Sequence, residues 1–303
     1  MPQDPMQETA FTAEHATAIL PGACADAGFS AEGATLIRLG ENAVFRLAEL
    51  TVVRVARSVD LIADVERSVR VAEWLATVDY PAVRAKSGVR QPVVAAGRLV
   101  TFWGAVAEQE RFVNAGQLGQ LLDRLHALAA PEGLGLPLLD PLASTFRRLT
   151  GLSALGRRDL TFLSARAAEL QARYGELEFA LPTGVVHGDA HVGNALLDVD
   201  GRPVLIDLDG FAVGPREWDL VVPALYVDRL GWHTEAEYDA FVQAYGFDVM
   251  SWDGYPVLAD IRELDMVVWL AQNAAHSAGI AAEVARRIAD LRTDGDRHGW
   301  QAH

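Results

Sequence analysis

The hydrophobic patterning of this chain changes in texture at Gly104, from short strands mixed with helices to a half that is mainly helical. Before Gly104, the runs ATLIRL, NAVFRL and LTVVRVA fill residues 34–56. They are short and rich in β-branched residues, with turns at Gly40 and Glu49, so they read as three strands. Residues 61–76 carry Leu61, Val65, Val69, Ala72 and Leu75 on one helical face. Two more strands are expected at Pro92–Ala96 and Arg98–Phe102, joined at Gly97. Ahead of all these, Ala16, Ile19 and Leu20 have helical spacing behind Thr12 as N-cap, and Pro21-Gly22 is expected to close that helix. After Gly104 the apolar residues recur at helical spacing over 116–129, 157–174, 235–245, 258–271 and 280–291. These stripes read as core-facing helix surfaces. The exception is 185–209, where Asp200-Gly201 separates two short apolar runs in the manner of a hairpin turn. The chain is thus expected to be an α+β protein of two lobes, a β-rich one at 1–104 and a helical one at 105–303.

Composition removes several classes of function. Half of the 303 residues are hydrophobic, enough for a sizeable core. No apolar run reaches the roughly 18–20 residues of a membrane span. The N-terminus has no basic segment followed by an apolar one, so no secretory signal is expected. One cysteine, Cys24, excludes a disulfide framework or a cysteine metal cluster and fits a reducing cytoplasm. The net charge of −15 argues against nucleic-acid and anionic-membrane surfaces. Lys86 is the only lysine, so any other cationic contact must use arginine. Charge is also uneven: residues 1–104 sum to −2 and 105–303 to −13.

Chemistry concentrates in VVHGDAHVGNALLDVDGRPVLIDLDG, residues 185–210. An apolar strand runs into His187-Gly188-Asp189, where glycine permits a tight turn. Asn194 follows five residues later and opens the hairpin, and the return strand ends at Asp207. Asp189, Asn194 and Asp207 would then cluster at one mouth of the hairpin. Two carboxylates and an amide oxygen are hard donors suited to Mg²⁺ carried on phosphates, and unsuited to zinc or copper. A carboxylate left off the metal could accept a hydroxyl proton, which is the arrangement phosphoryl transfer requires. Asp198 and Asp200 flank the hairpin turn and are assigned no chemistry.

The pattern HGD-x-x-x-x-N followed by ID-x-D resembles that of the aminoglycoside phosphotransferases and related small-molecule kinases, which have a protein-kinase-like fold. The resemblance extends over roughly Leu39 to Leu220. It implies that Asp189 is the catalytic base, that His187 braces its loop, and that Asn194 and Asp207 bind Mg²⁺. It further implies that Asp219, in EWDL, anchors the catalytic loop. LGENAVFRL stands where the family covers the nucleotide, but with Gly40 alone in place of a glycine-rich run; amides near Gly40–Asn42 would reach the phosphates. Arg54 falls at the position of the strand lysine that contacts phosphates, and arginine can serve there. The helix glutamate that usually partners that lysine is replaced by Ser68, with Glu66 two residues away on a different face. Phe102-Trp103-Gly104 lies where the adenine would pass, or else Trp103 simply packs between lobes. His126 and His191 read as structural.

The reading implied is an ATP- or GTP-dependent, Mg²⁺-requiring cytoplasmic phosphotransferase acting on a hydroxyl of a small molecule. An antibiotic of aminoglycoside type is the favoured acceptor. A metabolic kinase of choline, an amino alcohol or a sugar is the alternative, and a nucleotide-binding pseudokinase a third. The acid excess after Gly104 suggests a cationic acceptor, with Asp253, Asp260, Glu263 and Asp265 as candidate contacts.

Overall fold

The computed structural model describes residues 11–302 apart from Glu41, Glu49 and Ser153, so the turn expected at Glu49 and the first ten residues lie outside the described part. The first half runs α1 (Ala13–Ala27), β1 (Thr35–Leu39), β2 (Asn42–Leu47), β3 (Thr51–Ala56), α2 (Ile62–Thr77), β4 (Val93–Ala95) and β5 (Arg98–Gly104). Then come α3 (Ala115–His126), α4 (Ala143–Gly151), α5 (Arg157–Gly175), β6 (Thr183–Val186), β7 (Ala195–Leu197), β8 (Pro203–Leu205) and β9 (Ala212–Pro215). The chain ends in α6 (Glu217–Asp228), α7 (Glu235–Tyr245), α8 (Tyr255–Ala271) and α9 (Ala278–Thr293). This is the expected α+β, protein-kinase-like arrangement, with a β-rich N-terminal part and a helical C-terminal part.

By contacts the chain forms two units. The first contains residues 1–112, 131–135 and 196–209; the second contains 113–130, 136–195 and 210–303. In the first, an antiparallel sheet has the order β1-β2-β3-β5-β4. Its central strands alternate buried and half-buried residues, the pattern of a sheet with one face on a core. That face carries Phe45, Val53, Val55, Val100 and Phe102, and α1 covers it with Ala16, Ile19, Leu20, Ala23 and Cys24. Pro21 therefore does not end α1, as expected from sequence. The helix continues to Ala27, because Ala23 and Cys24 gain burial on the sheet, and it stops at Gly28 in a left-handed cap.

In the second unit α3 lies against α7. The approach is close because Gly119 has no side chain. A Cβ there would stand 2.7 Å from the carbonyl oxygen of Phe241 and 3.1 Å from Ala244 Cβ. The helical stripe expected over 116–129 is found as α3, and the helix opens in an Asn114–Gln117 capping box. The signals for α4 and β9 were not visible: α4 is nine residues long and β9 four. Gly119→Ala tests the packing. Helix propensity favours alanine by roughly 1 kcal/mol, but overpacking against backbone costs about 1–3 kcal/mol, so a net loss of up to about 2 kcal/mol is expected. Urea unfolding measures it; a gain in stability would contradict the close contact.

Candidate active site

The second unit builds a braced loop from His187 to Asn194. Antiparallel β6 and β9 deliver the chain to His187. Gly188 then turns with φ +87°, and a Cβ on it would lie 2.2 Å from the Gly210 carbonyl oxygen. Only glycine satisfies both demands. Beneath the turn sits Asp219, fully buried on the first turn of α6. Its Oδ2 accepts from the His187 amide at 2.6 Å and its Oδ1 from the Gly188 amide at 2.9 Å. His126, also buried, places Nε2 3.1 Å from Asp219 Oδ2, while its Nδ1 is 2.8 Å from the Tyr245 hydroxyl. Burial pushes the Asp219 carboxyl up, but His126 and His187 outweigh it and hold it below the ordinary carboxylate range.

Asp189 projects from this loop with 55% of its side-chain surface exposed. Burial of its surroundings would raise its pKa, yet His191, Arg262 and His187 together hold it well below the ordinary range. His191 Nε2 stands 3.7 Å from Asp189 Oδ2, and Arg262 Nη1 lies 3.4 Å from Oδ1. Asp189 is thus an ionised acceptor of low basicity. Asn194 Nδ2 donates to the Asp189 carbonyl at 2.9 Å and lies 3.2 Å from its Oδ2. That turns the amide oxygen of Asn194 away from Asp189 and leaves it as a hard oxygen donor. His187 is fully buried, packs edgewise on Phe211, and accepts the Asp189 amide at Nδ1, 3.3 Å away.

Arg262 was not singled out from the sequence. It comes from α8, 73 residues from Asp189, with no motif linking the two. Its guanidinium lies over the Trp218 ring, 3.9 Å from the centroid, and donates to the Gly188 carbonyl at 2.9 Å. Trp218 Nε1 donates to the same carbonyl.

The first unit holds the remaining expected residues. Asp207, just past β8, has φ +59°, unusual for a non-glycine residue. Arg54 on β3 contacts Asp207 Oδ1 at 3.3 Å and both carboxylate oxygens of Asp209. These acids push its pKa up against burial, so it is permanently charged. The Gly40 amide donates to the Asn42 carbonyl at 3.0 Å, and Asn42 opens β2 opposite Ala56. Phe102 is fully buried and stacks on Phe29, while Trp103 donates from Nε1 to Thr101. The Phe102 amide donates to Gln91 and the Gly104 amide to the Arg84 carbonyl. Asp198 accepts the amides of Asp200 and Arg202, the turn role expected of it.

Of the four acids proposed for a cationic acceptor, three are matched with arginines. Asp260 accepts from Arg166, Arg173 and Arg229; buried Glu263 lies against Arg229 and Arg297; Asp265 accepts from Arg148. Asp253 is exposed. The local charge of α8 is therefore largely cancelled, a balance that a count of acids along the sequence does not show.

Asp219→Asn is expected to destabilise the protein by about 3 kcal/mol at pH 7, because an amide nitrogen would face a loop N–H. The Asp219 carboxyl is depressed in the folded state, so its stabilisation is full above the unfolded pKa of about 3.9 and fades as pH falls through the folded value. Unfolding measured at pH 7 and below pH 4 should show the gap between the two proteins closing at acid pH. A gap independent of pH would contradict this assignment.

No curated protein matches the chain significantly in sequence. The chain is similar in structure to amicoumacin kinase hAmiN solved with AMP-PNP, Ca²⁺ and Ami, at TM-score 0.63 and 16% identity, over 90% of this chain and 92% of that one. It is similar to a choline/ethanolamine kinase family protein from Mesorhizobium loti, at TM-score 0.60 and 17% identity, over 92% and 93% of the chains. Aminoglycoside phosphotransferase APH(3'')-Id from Streptomyces rimosus aligns at TM-score 0.54 and 20% identity, over 81% and 96%. At these identities the likeness establishes the fold. The model of the phosphotransferase enzyme family (APH) matches residues 34–261, well over half of the sequence, and the chain therefore belongs to that family, whose enzymes transfer phosphate to a hydroxyl acceptor.

Proposed function

We propose that this protein is an ATP-dependent, Mg²⁺-requiring kinase of a small molecule bearing a hydroxyl group. The observation that carries the reading is Asp189, exposed and ionised on a loop fixed through both backbone and side chain. An exposed carboxylate on a fixed loop can align the acceptor hydroxyl and receive its proton, which is what phosphoryl transfer through a loose transition state requires. On this reading Asp189 accepts the hydroxyl hydrogen bond and aims the oxygen, and His187 and Asp219 hold the loop that aims Asp189. Orientation and charge stabilisation supply most of the acceleration.

Asn194 and Asp207 would hold Mg²⁺ through the Asn194 amide oxygen and the Asp207 carboxylate. Nucleotide phosphates and water would complete the coordination of such an ion. The ion would neutralise charge on the transferred group. Arg54 would contact nucleotide phosphates. In this proposal residues 1–104 supply the nucleotide site, including Gly40, Asn42 and the Phe102–Gly104 segment, and 105–303 the acceptor site. The amides of Gly40, Phe102 and Gly104 are engaged within the protein, and the Gly40 and Phe102 carbonyls accept from Arg57 and Lys86, so the outward faces of these segments are the groups proposed to meet the nucleotide.

An antibiotic of aminoglycoside type is the acceptor proposed first, with a role in resistance; the excess of acid in residues 105–303 supports a cation. The similarity to a choline/ethanolamine kinase family protein supports a metabolic amino alcohol as the second reading. A cytoplasmic location fits the buried thiol of Cys24 and a need for ATP.

The test is transfer from γ-labelled nucleotide to a panel of aminoglycosides, nucleoside antibiotics, choline, ethanolamine and amino sugars. Labelled phosphate on one acceptor hydroxyl is expected. No turnover, not even slow hydrolysis, with intact nucleotide binding would favour a regulatory nucleotide-binding module; hydrolysis without transfer to any member would place the acceptor outside the panel. Asn194→Ala and Asp207→Ala should each raise the Mg²⁺ concentration needed for turnover; an unchanged requirement in both would remove them from the metal site.

A further inference from the structure

We infer that Asp209, anchored by Ser68, is the positioning residue that holds Arg54 for the nucleotide phosphates, in place of a carboxylate on α2. The inference rests on the kinase reading above and deepens it. All three residues lie in the first unit. Arg54 is on β3 in the interior of the sheet, with 16% of its side chain exposed. Nη1 lies 3.3 Å from Asp209 Oδ1, and Nη2 pairs closely with Asp209 Oδ2 and at 3.3 Å with Asp207 Oδ1. The guanidinium is therefore gripped by Asp209 in a two-point fork, and by Asp207 at one point. A fork of this kind fixes the plane of the group as well as its place. A guanidinium has five N–H donors, and these contacts use three, so Nε–H and one Nη1 hydrogen are not engaged by the two acids.

Asp209 is itself held from α2. Ser68 is buried on that helix, and its Oγ stands 2.6 Å from Asp209 Oδ1 and 3.0 Å from the Asp64 carbonyl. The hydroxyl has one proton, and the ionised, closer carboxylate is its better acceptor. Ser68 supplies no charge and bonds to Asp209. Asp209 joins it to Arg54, so the order is helix hydroxyl, loop carboxylate, strand guanidinium. Glu66, the other candidate from the sequence, is exposed on α2 and is not the partner of Arg54. The negative charge that balances Arg54 has thus moved from the helix to the segment after β8.

This arrangement makes a prediction that a metal-binding role for Asp209 does not. An arginine contact with phosphate needs no divalent ion, so the effect of losing its support must persist without one. Binding of ATP and of adenosine to the full-length protein, followed by titration calorimetry with Mg²⁺ and again with EDTA, separates the possibilities. D209N is expected to weaken ATP binding about tenfold or more in both conditions and to leave adenosine binding unchanged. S68A should weaken ATP binding a few-fold with the same selectivity. The double variant should bind as D209N does, since Ser68 acts through Asp209.

A loss for D209N that disappears in EDTA would assign Asp209 to the metal and overturn the inference. So would equal losses for ATP and adenosine, or additive effects of the two substitutions. If D209N fails to fold, S68A carries the same test, and unaltered ATP affinity in S68A would overturn the anchoring. A wild-type protein that binds neither ATP nor GTP would refute the kinase reading itself; nucleotide binding insensitive to both substitutions would refute only the positioning role.

Discussion

The buried carboxylate of Asp219 is the interaction on which the candidate site depends. A lone ionised carboxylate in a protein interior is expensive, and it persists only where hydrogen bonds satisfy it. Here two consecutive loop amides and the His126 ring do so. The consequence is geometric. Two amides pointing at one carboxylate fix the backbone of His187 and Gly188, and the left-handed turn at Gly188 then fixes the direction of Asp189. The Gly188 carbonyl is held from the other side by Trp218 and Arg262. The loop is thus pinned at amide, carbonyl and side chain from α3, α6 and α8.

Arginine does nearly all of the cationic work, as it must in a chain with one lysine. Its planar fork suits the tasks found. Arg262 stacks on Trp218 while bonding the loop, Arg54 is shared between two carboxylates, and Asp260 is surrounded by three arginines. A lysine in the first two places would lose the planar stack or the two-point contact. The acid excess of residues 105–303 is likewise less available than its count suggests, since α8 has most of its acids matched.

What the sequence made legible was local. The strands of residues 34–56 and the hairpin around Asp200-Gly201 follow from period and turn chemistry acting over a few residues. The loop motif is legible for the same reason: Gly188, Asp189 and Asn194 lie within seven positions, and their roles are coupled through adjacent backbone. The continuation of α1 past Pro21 was not legible, because burial of Ala23 and Cys24 on the sheet outweighs a local breaker. Arg262 was hidden for another reason. It meets Asp189 through the packing of α8, and no residue spacing encodes that meeting. Ser68 looked like a missing charge until Asp209, 141 residues away, was seen to supply it. Arg54, Ser68 and Asp209 form one network whose parts are ordinary when read singly.

The central claim is that Asp189 orients the acceptor hydroxyl for phosphoryl transfer while taking no part in holding the nucleotide. Comparing Asp189→Asn with the wild type, in turnover and in nucleotide affinity, tests it most directly. The amide preserves shape and can still meet the hydrogen bond from Asn194 through its oxygen, but it carries no charge and accepts at only one atom. Turnover should fall by at least the roughly 10²–10⁴-fold associated with a positioned acid–base group, with nucleotide affinity and thermal stability little changed. Turnover within a few-fold of the wild type, with the protein folded and nucleotide bound, would contradict the account.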